Sequence, residues 1–176
     1  MPQFIFYARP TGPLAQQLAT YFERTQRSCG PNAAHAYMPH CTLTGFFEDE
    51  GSAIAHYIDA LDSALLEYRD RIPTPPISIK QITFRPRWHG LELEAPWLKQ
   101  LIATFATQAT SPSRREPLRL KDWLHLSLAY KFDPACEPTL RQAASDLIDL
   151  SAPVAWDLRF YQRSDSRWQC HRRWSL

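Results

Sequence analysis

The sequence predicts an α+β fold with antiparallel β-structure, and three observations carry that reading. Short runs of β-forming residues are interleaved with stretches whose apolar residues recur at helical spacing. Two pairs of strand-like runs are joined by short connections, Arg85-Pro86-Arg87 and Arg163-Ser164-Asp165-Ser166, which makes hairpins rather than an unbroken βαβ series. The 176 residues suffice for one core of ordinary size and fall short of two full domains, so a single domain over 1–176 is expected.

The elements follow in order. Phe4 to Ala8 reads as a first strand. Pro10, Thr11 and Gly12 then open a helix with Leu14, Leu18, Tyr21 and Phe22 at helical spacing, broken by Gly30-Pro31-Asn32. Pro39 precedes a strand from His40 to about Phe47. Glu48 to Ser52 turns into a helix over roughly 52–70, whose stripe of Ile54, Tyr57, Ile58, Leu61, Leu65 and Tyr68 fits packing on a sheet. Pro73, Pro75 and Pro76 end that helix. The first hairpin runs from Ile77 to Phe84 and from Trp88 to Glu94. Pro96 starts a third helix with Trp97, Leu98, Leu101, Ile102 and Phe105 inward. A loop over about 108–121 leads to a strand containing His125. Asp133-Pro134 then opens a fourth helix, and Val154 to Gln162 and Arg167 to Trp174 form the second hairpin. The expected order is βα, βα, ββα, βα, ββ.

With 44% apolar and 22% charged residues the chain is not of the disordered class. A net charge of +2 is too small to argue for a nucleic-acid surface by itself. Ser111 to Lys121 is locally basic, with Arg114, Arg115, Arg119 and Lys121 against Glu116, and it runs straight into the strand of His125. A solvated basic loop and a phosphate-recognising one both fit that pattern. Arg163, Arg167 and Arg172 add charge near the C-terminus. Cys29, Cys41, Cys136 and Cys170 lack CxxC or zinc-ribbon spacing, the opening residues lack a leader pattern, and no apolar run reaches the length of a membrane span. The expectation is a cytoplasmic protein with reduced thiols, no membrane association and no metal or other cofactor; the pairing of the cysteines stays open.

The informative feature is a repeated tetrapeptide. His40-Cys41-Thr42-Leu43 and His125-Leu126-Ser127-Leu128 share the pattern His-x-Thr/Ser-x with an apolar last residue, 85 positions apart. On a strand, His40 and Thr42 project from one face while Cys41 and Leu43 enter a core, and His125 and Ser127 repeat this. An imidazole that exchanges a proton near neutral pH, beside a hydroxyl donor, is half of a site for holding and cutting a phosphodiester. His35, His56, His89 and His171 have no such hydroxyl partners and read as surface or packing residues. The tryptophans read as core and sheet-face packing.

With these two motifs the sequence resembles the 2H phosphoesterase superfamily, and within it most resembles the cyclic nucleotide phosphodiesterase branch, related to the 2′-5′ RNA ligase-like proteins. Pro39-His40-Cys41-Thr42-Leu43-Thr44-Gly45 and His125-Leu126-Ser127-Leu128-Ala129-Tyr130 carry the specific part of the likeness; elsewhere it is architectural. The resemblance implies a two-lobed fold of pseudo-twofold related antiparallel sheets, helices outside, with His40 and His125 facing each other across a central groove. It also implies metal-independent hydrolysis of a nucleoside 2′,3′-cyclic phosphate or of ADP-ribose 1″,2″-cyclic phosphate.

In the chemistry so implied, one histidine takes a proton from water, the other protonates the departing ribose oxygen, and Thr42 and Ser127 donate to phosphate oxygens. The resemblance assigns the base to His125 and the acid to His40, and favours Tyr7 and Tyr130 as substrate-binding side chains. Tyr130 is five positions from His125, so it reaches the groove only where the strand ends or bends near Ala129. Two other functions stay open: RNA-end processing as a 2′-5′ ligase or cyclic phosphodiesterase, and a non-catalytic nucleotide- or RNA-binding module. A monomer acting on a small cyclic-phosphate nucleotide, with RNA ends as the alternative partner, is expected.

Overall fold

The structure, a computed structural model, describes residues 1–69, 76–165 and 167–176. Among the described residues, strands β1 (Gln3–Thr11), β2 (Cys41–Thr42), β3 (Phe47–Glu48), β4 (Ser78–Arg85), β5 (Trp88–Glu94), β6 (His125–Tyr130), β7 (Ala155–Ser164) and β8 (Arg167–Ser175) accompany four α-helices. The helices are α1 (Pro13–Cys29), α2 (Ile54–Arg69), α3 (Pro96–Gln108) and α4 (Glu137–Leu147), with short 3₁₀ turns at Ala33–Ala36, Gly51–Ala53 and Pro134–Cys136. The expected α+β class and element order hold. The end of the second helix at residue 70, the stop at Pro73 and Pro75, and hairpin residue Ser166 lie outside the described residues.

All strand pairings are antiparallel, in the order β4-β5-β6-β2-β1-β7-β8, with β3 also on β1. The two halves expected from the sequence are therefore joined in one sheet, three strands on one side of the two-residue β2 and the long β1, β7 and β8 on the other. Their junction is the single pair Cys41–Leu126.

The helices pack as two pairs, α1 with α4 and α2 with α3. Together with one face of the sheet they enclose the main core, where Phe6 stacks on Phe160 at 4.4 Å and Phe105 closes in at 4.6 Å. Each such fully buried aromatic contributes about 1.5–3 kcal/mol through burial. On the other face of β1 and β7, Ile5, Tyr7 and Tyr161 form a smaller cluster with Met38, Phe46 and Trp168. Helices on one side leave that second face open.

Two local departures shape the open face. The strand expected over His40–Phe47 is divided: after Thr42 the chain leaves β6 and pairs instead with 119–121, through Gly45 N to Arg119 O (2.7 Å), Lys121 N to Leu43 O (3.1 Å) and the Thr44–Leu120 bridge. Asn32, expected only as a helix breaker, caps the 3₁₀ turn that follows α1. Its side chain accepts from Ala34 N, and its own N–H donates to His35 Nδ1. His35 Nε2 reaches Phe22 O and Thr25 Oγ1, tying this turn to α1.

Candidate active site

The single pair Cys41–Leu126 decides the geometry of the site. Antiparallel register sets His40 level with Ser127 and Thr42 level with His125, so the four motif side chains occupy one face of two adjacent strands. Cys41, Leu43, Leu126 and Leu128 are turned into the core, as the alternation requires. Burial pushes the Cys41 thiol up to about 12, which keeps it inert at neutral pH. His40, Thr42, His125 and Ser127 line one cavity of about 490 Å³.

Both imidazoles are held in the same way. His40 Nδ1 lies 2.6 Å from Met38 O, and His125 Nδ1 lies 3.1 Å from Trp123 O. A carbonyl only accepts, so each Nδ1 carries the proton and each Nε2 of the neutral ring is left as the basic nitrogen. Each ring also rests on an aromatic face, Tyr7 against His40 at 3.8 Å and Trp123 against His125 at 4.0 Å, both at 29° between planes.

The hydroxyls differ. Thr42 Oγ1 sits 3.1 Å from His40 Nε2 and donates to it while the ring is neutral. Ser127 Oγ accepts from the indole N–H of Trp88 at 3.0 Å. Among the described residues, no hydrogen bond engages His125 Nε2.

Burial lowers the His40 pKa to about 4; the bond to Met38 O opposes this, and the charges of Arg9 and His125 add to it. The His125 pKa is also lowered, again mainly by burial, with Lys121 and Arg85 lowering it further and the Trp123 carbonyl and Glu92 opposing. The charge of His125 is among the causes that lower the His40 pKa, so a proton on one ring disfavours a proton on the other.

The structure places both expected tyrosines on the cavity. Tyr7, paired with Thr42 across the sheet, is almost fully buried, and burial holds its phenol protonated well above the ordinary value. Its main contact is therefore with the imidazole. Tyr130 reaches the groove because β6 carries a bulge: Gly90 pairs with Ser127 and His89 with Ala129, leaving Leu128 as the extra residue. The phase slip buries Leu128 and Ala129 in succession and returns Tyr130 to the face of His125 and Ser127.

Sequence reasoning assigned Trp88 and Trp123 to packing, yet both line the cavity, as do Tyr37, Phe46, Arg119 and Lys121. The basic run before the second motif was the usable signal for Arg119 and Lys121. Of its arginines, Arg114 turns away, donating to Tyr57 OH and Ala109 O at 2.8 Å each. Arg85 lies over the Trp123 ring at 4.7 Å and pairs with Glu92 at 3.2 Å, at the edge of the site. His89 is fully buried between Phe84 and Phe132, and His171 bonds Gln162, so neither belongs to the cavity. Among the described residues, no group of three His, Cys, Asp or Glu side chains is arranged to hold a metal ion.

Comparison with known proteins places this geometry in context. No family model matches the sequence. The chain is 32% identical over 170 residues to ubiquitin-associated and SH3 domain-containing protein B of Mus musculus, and equally to that of Homo sapiens, covering 96% of this chain and 26% of theirs. It is 30% identical over 177 residues to the ecdysteroid-phosphate phosphatase of Bombyx mori, covering 96% of this chain and 25% of that protein. The chain thus spans about a quarter of the length of the curated relatives it matches. Among solved structures, E. coli LigT complexed with 3′-AMP superimposes with a TM-score of 0.54 at 21% identity, over 100% of this chain and 99% of LigT. A second structure, described as a phosphoesterase, gives 0.51 at 20% identity, over 100% and 99% of the two chains. The chain shares its fold with LigT.

Proposed function

We propose that this chain is a 2H phosphoesterase that hydrolyses small cyclic phosphodiesters, a nucleoside 2′,3′-cyclic phosphate or ADP-ribose 1″,2″-cyclic phosphate, to phosphomonoesters without a metal. The observation that carries this reading is the convergence on one cavity of two imidazoles, each with Nδ1 tied to a backbone carbonyl, and two hydroxyls. A fold shared with a protein that has been crystallised with 3′-AMP and with phosphate supports it. The phosphatase among the relatives agrees with phosphoester chemistry, although the match covers a quarter of that protein and does not locate its activity.

In the proposed step, water oxygen attacks phosphorus as the bond to one ribose oxygen breaks. One Nε2 takes the proton from water, and the other gives a proton to the leaving oxygen. Ser127 donates to a non-bridging oxygen, and Thr42 does so once its hydroxyl has turned away from His40 Nε2 to leave that nitrogen for water, with Arg119 and Lys121 supplying positive charge at the mouth. The deeper burial of His40 leaves the shared proton on His125. We therefore assign His40 as the base and His125 as the acid, the reverse of the order that resemblance suggested. Tyr130 and Tyr37 offer ring faces for the ribose or base.

The test is turnover of 2′,3′-cyclic AMP in EDTA, with products separated by chromatography, for the wild type and for folded His40→Ala and His125→Ala variants. Turnover by the wild type with losses of about 10²–10⁴-fold in each variant is expected. An inert wild type that still binds the nucleotide would overturn hydrolysis and favour the binding-module reading. Tighter binding of RNA ends, falling steeply with salt, would favour RNA-end processing.

A further inference from the structure

Ser127 is not free to choose the direction of its hydroxyl. Trp88 donates its indole N–H to Ser127 Oγ at 3.0 Å. An indole nitrogen only donates, so the bond occupies an oxygen lone pair and leaves the serine proton to be given elsewhere. Thr42 differs: its hydroxyl is already engaged with His40 Nε2 at 3.1 Å, so its direction follows the protonation of that ring.

Trp88 can reach Ser127 only because of the residue two places along its own strand. Trp88 and Gly90 share a face of β5, and Gly90 pairs directly with Ser127. The indole lies across Gly90: a Cβ built there would come within 2.3 Å of Cζ2 and 2.7 Å of Cη2 of Trp88, and within 2.6 Å of Leu126 O. No side chain fits under the ring, and a glycine in the interior of a strand otherwise weakens it. The same indole stands edge-on to His125 at 5.5 Å and meets Trp123 at 4.9 Å.

We infer that Trp88 is a positioning residue that aims the Ser127 hydroxyl proton into the groove for a phosphate oxygen, and that Gly90 is the gap that allows it. The inference rests on the groove being a phosphodiester site and deepens that reading. It gives the two motif hydroxyls different work: Ser127 is a pre-set donor, while Thr42 is coupled to the proton on His40.

A double-mutant cycle tests it, with Trp88→Phe, Ser127→Ala and the double variant read by the dissociation constant for inorganic phosphate and by kcat/KM for 2′,3′-cyclic AMP. Trp88→Phe keeps an aromatic ring while deleting the donor together with the Cζ2–Cη2 edge of the indole, and the Ser127→Ala background separates the two losses. It is expected to weaken both readouts by about 3- to 10-fold in the wild type and by less than about 2-fold when Ser127 is already alanine. Gly90→Ala, which displaces the ring, should reproduce the loss while Trp88 remains present. As a check independent of turnover, the indole N–H proton resonance, identified by its disappearance in Trp88→Phe, should move upfield in Ser127→Ala. Equal losses in the two backgrounds, or an unmoved indole resonance, would overturn the inference. A wild type that binds phosphate but does not turn over the cyclic nucleotide overturns the proposed reaction alone, and the cycle is then decided on phosphate. A wild type that binds no phosphate overturns both.

Discussion

The indole of Trp123 lies on the imidazole of His125 at 4.0 Å and 29°, and its own backbone carbonyl takes the Nδ1 proton of that ring. One residue thus fixes both the plane of the imidazole and its tautomer. Tyr7 and Met38 divide the same two tasks for His40. Aromatic contacts of this kind contribute about 0.5–1.5 kcal/mol. Trp123→Leu is therefore expected to lower kcat/KM for a cyclic nucleotide by about 2- to 10-fold without unfolding the protein. Tyr7→Phe, which keeps the ring, should stay within about 2-fold of wild type, and Tyr7→Leu should lose more; kinetics on the three variants check this.

The pH dependence follows from burial. Both histidines have lowered pKa values, His40 to about 4, and in the proposed reaction the active form carries one proton on the pair. The singly protonated form is populated between the two lowered values, so the kcat/KM profile should be bell-shaped with its maximum below about 6.5, the ordinary histidine value. A maximum above pH 7 would contradict the burial of the pair.

Stability carries the same sign. Below about pH 6.5 the unfolded chain protonates His40 while the folded chain resists until about pH 4, so the unfolded state binds more protons across that window. Folding stability should fall as pH drops from about 6.5 to 4, and His40→Gln should flatten that part of the curve, as urea titrations at a series of pH values would show.

Arg119 and Lys121 are exposed side chains on the rim of the cavity. Neutralising either to Gln is expected to raise KM by up to about 5-fold with little change in kcat, and to flatten the salt dependence of KM. Initial rates at several ionic strengths check it.

The loop that carries these two residues is anchored from the far side. Buried Asp49 accepts from Ser113 Oγ, Tyr57 OH and Glu50 N, and Arg114 donates to the same Tyr57 oxygen. Asp49→Ala leaves buried donors without an acceptor and should cost about 1–3 kcal/mol. Thermal denaturation reads the loss, and hydrogen exchange over residues 108–121 should rise with it.

What the sequence disclosed is what repeats. Two His-x-Thr/Ser patterns with apolar alternation were enough to place four side chains on one face, and hydrophobic periodicity located the four α-helices of the described residues. The division of the second strand was hidden because its segments remain extended and apolar while changing partners; register with 119–121 is a long-range choice that local pattern does not express. The bulge left a weak trace in the adjacent apolar residues Leu128 and Ala129. The aromatic walls were missed because Trp88 and Trp123 look like packing in composition, and they do pack, but against His125 rather than the core. Gly90 inside a strand was the overlooked signal, since such a residue marks a close approach.

β2 directly follows His40 in the chain and is also the stitch between the two parts of the sheet. Its rung Cys41–Leu126 is made by the middle residues of the motifs themselves. The spacing of the two imidazoles is therefore a backbone repeat distance, indifferent to changes in the outer strands on either side. The outer strands are free to diversify in length and charge while the central dipeptides keep the reacting groups in step. An insertion of one residue between Cys41 and Thr42 would do the opposite, turning a thiol toward the groove and a histidine toward the core.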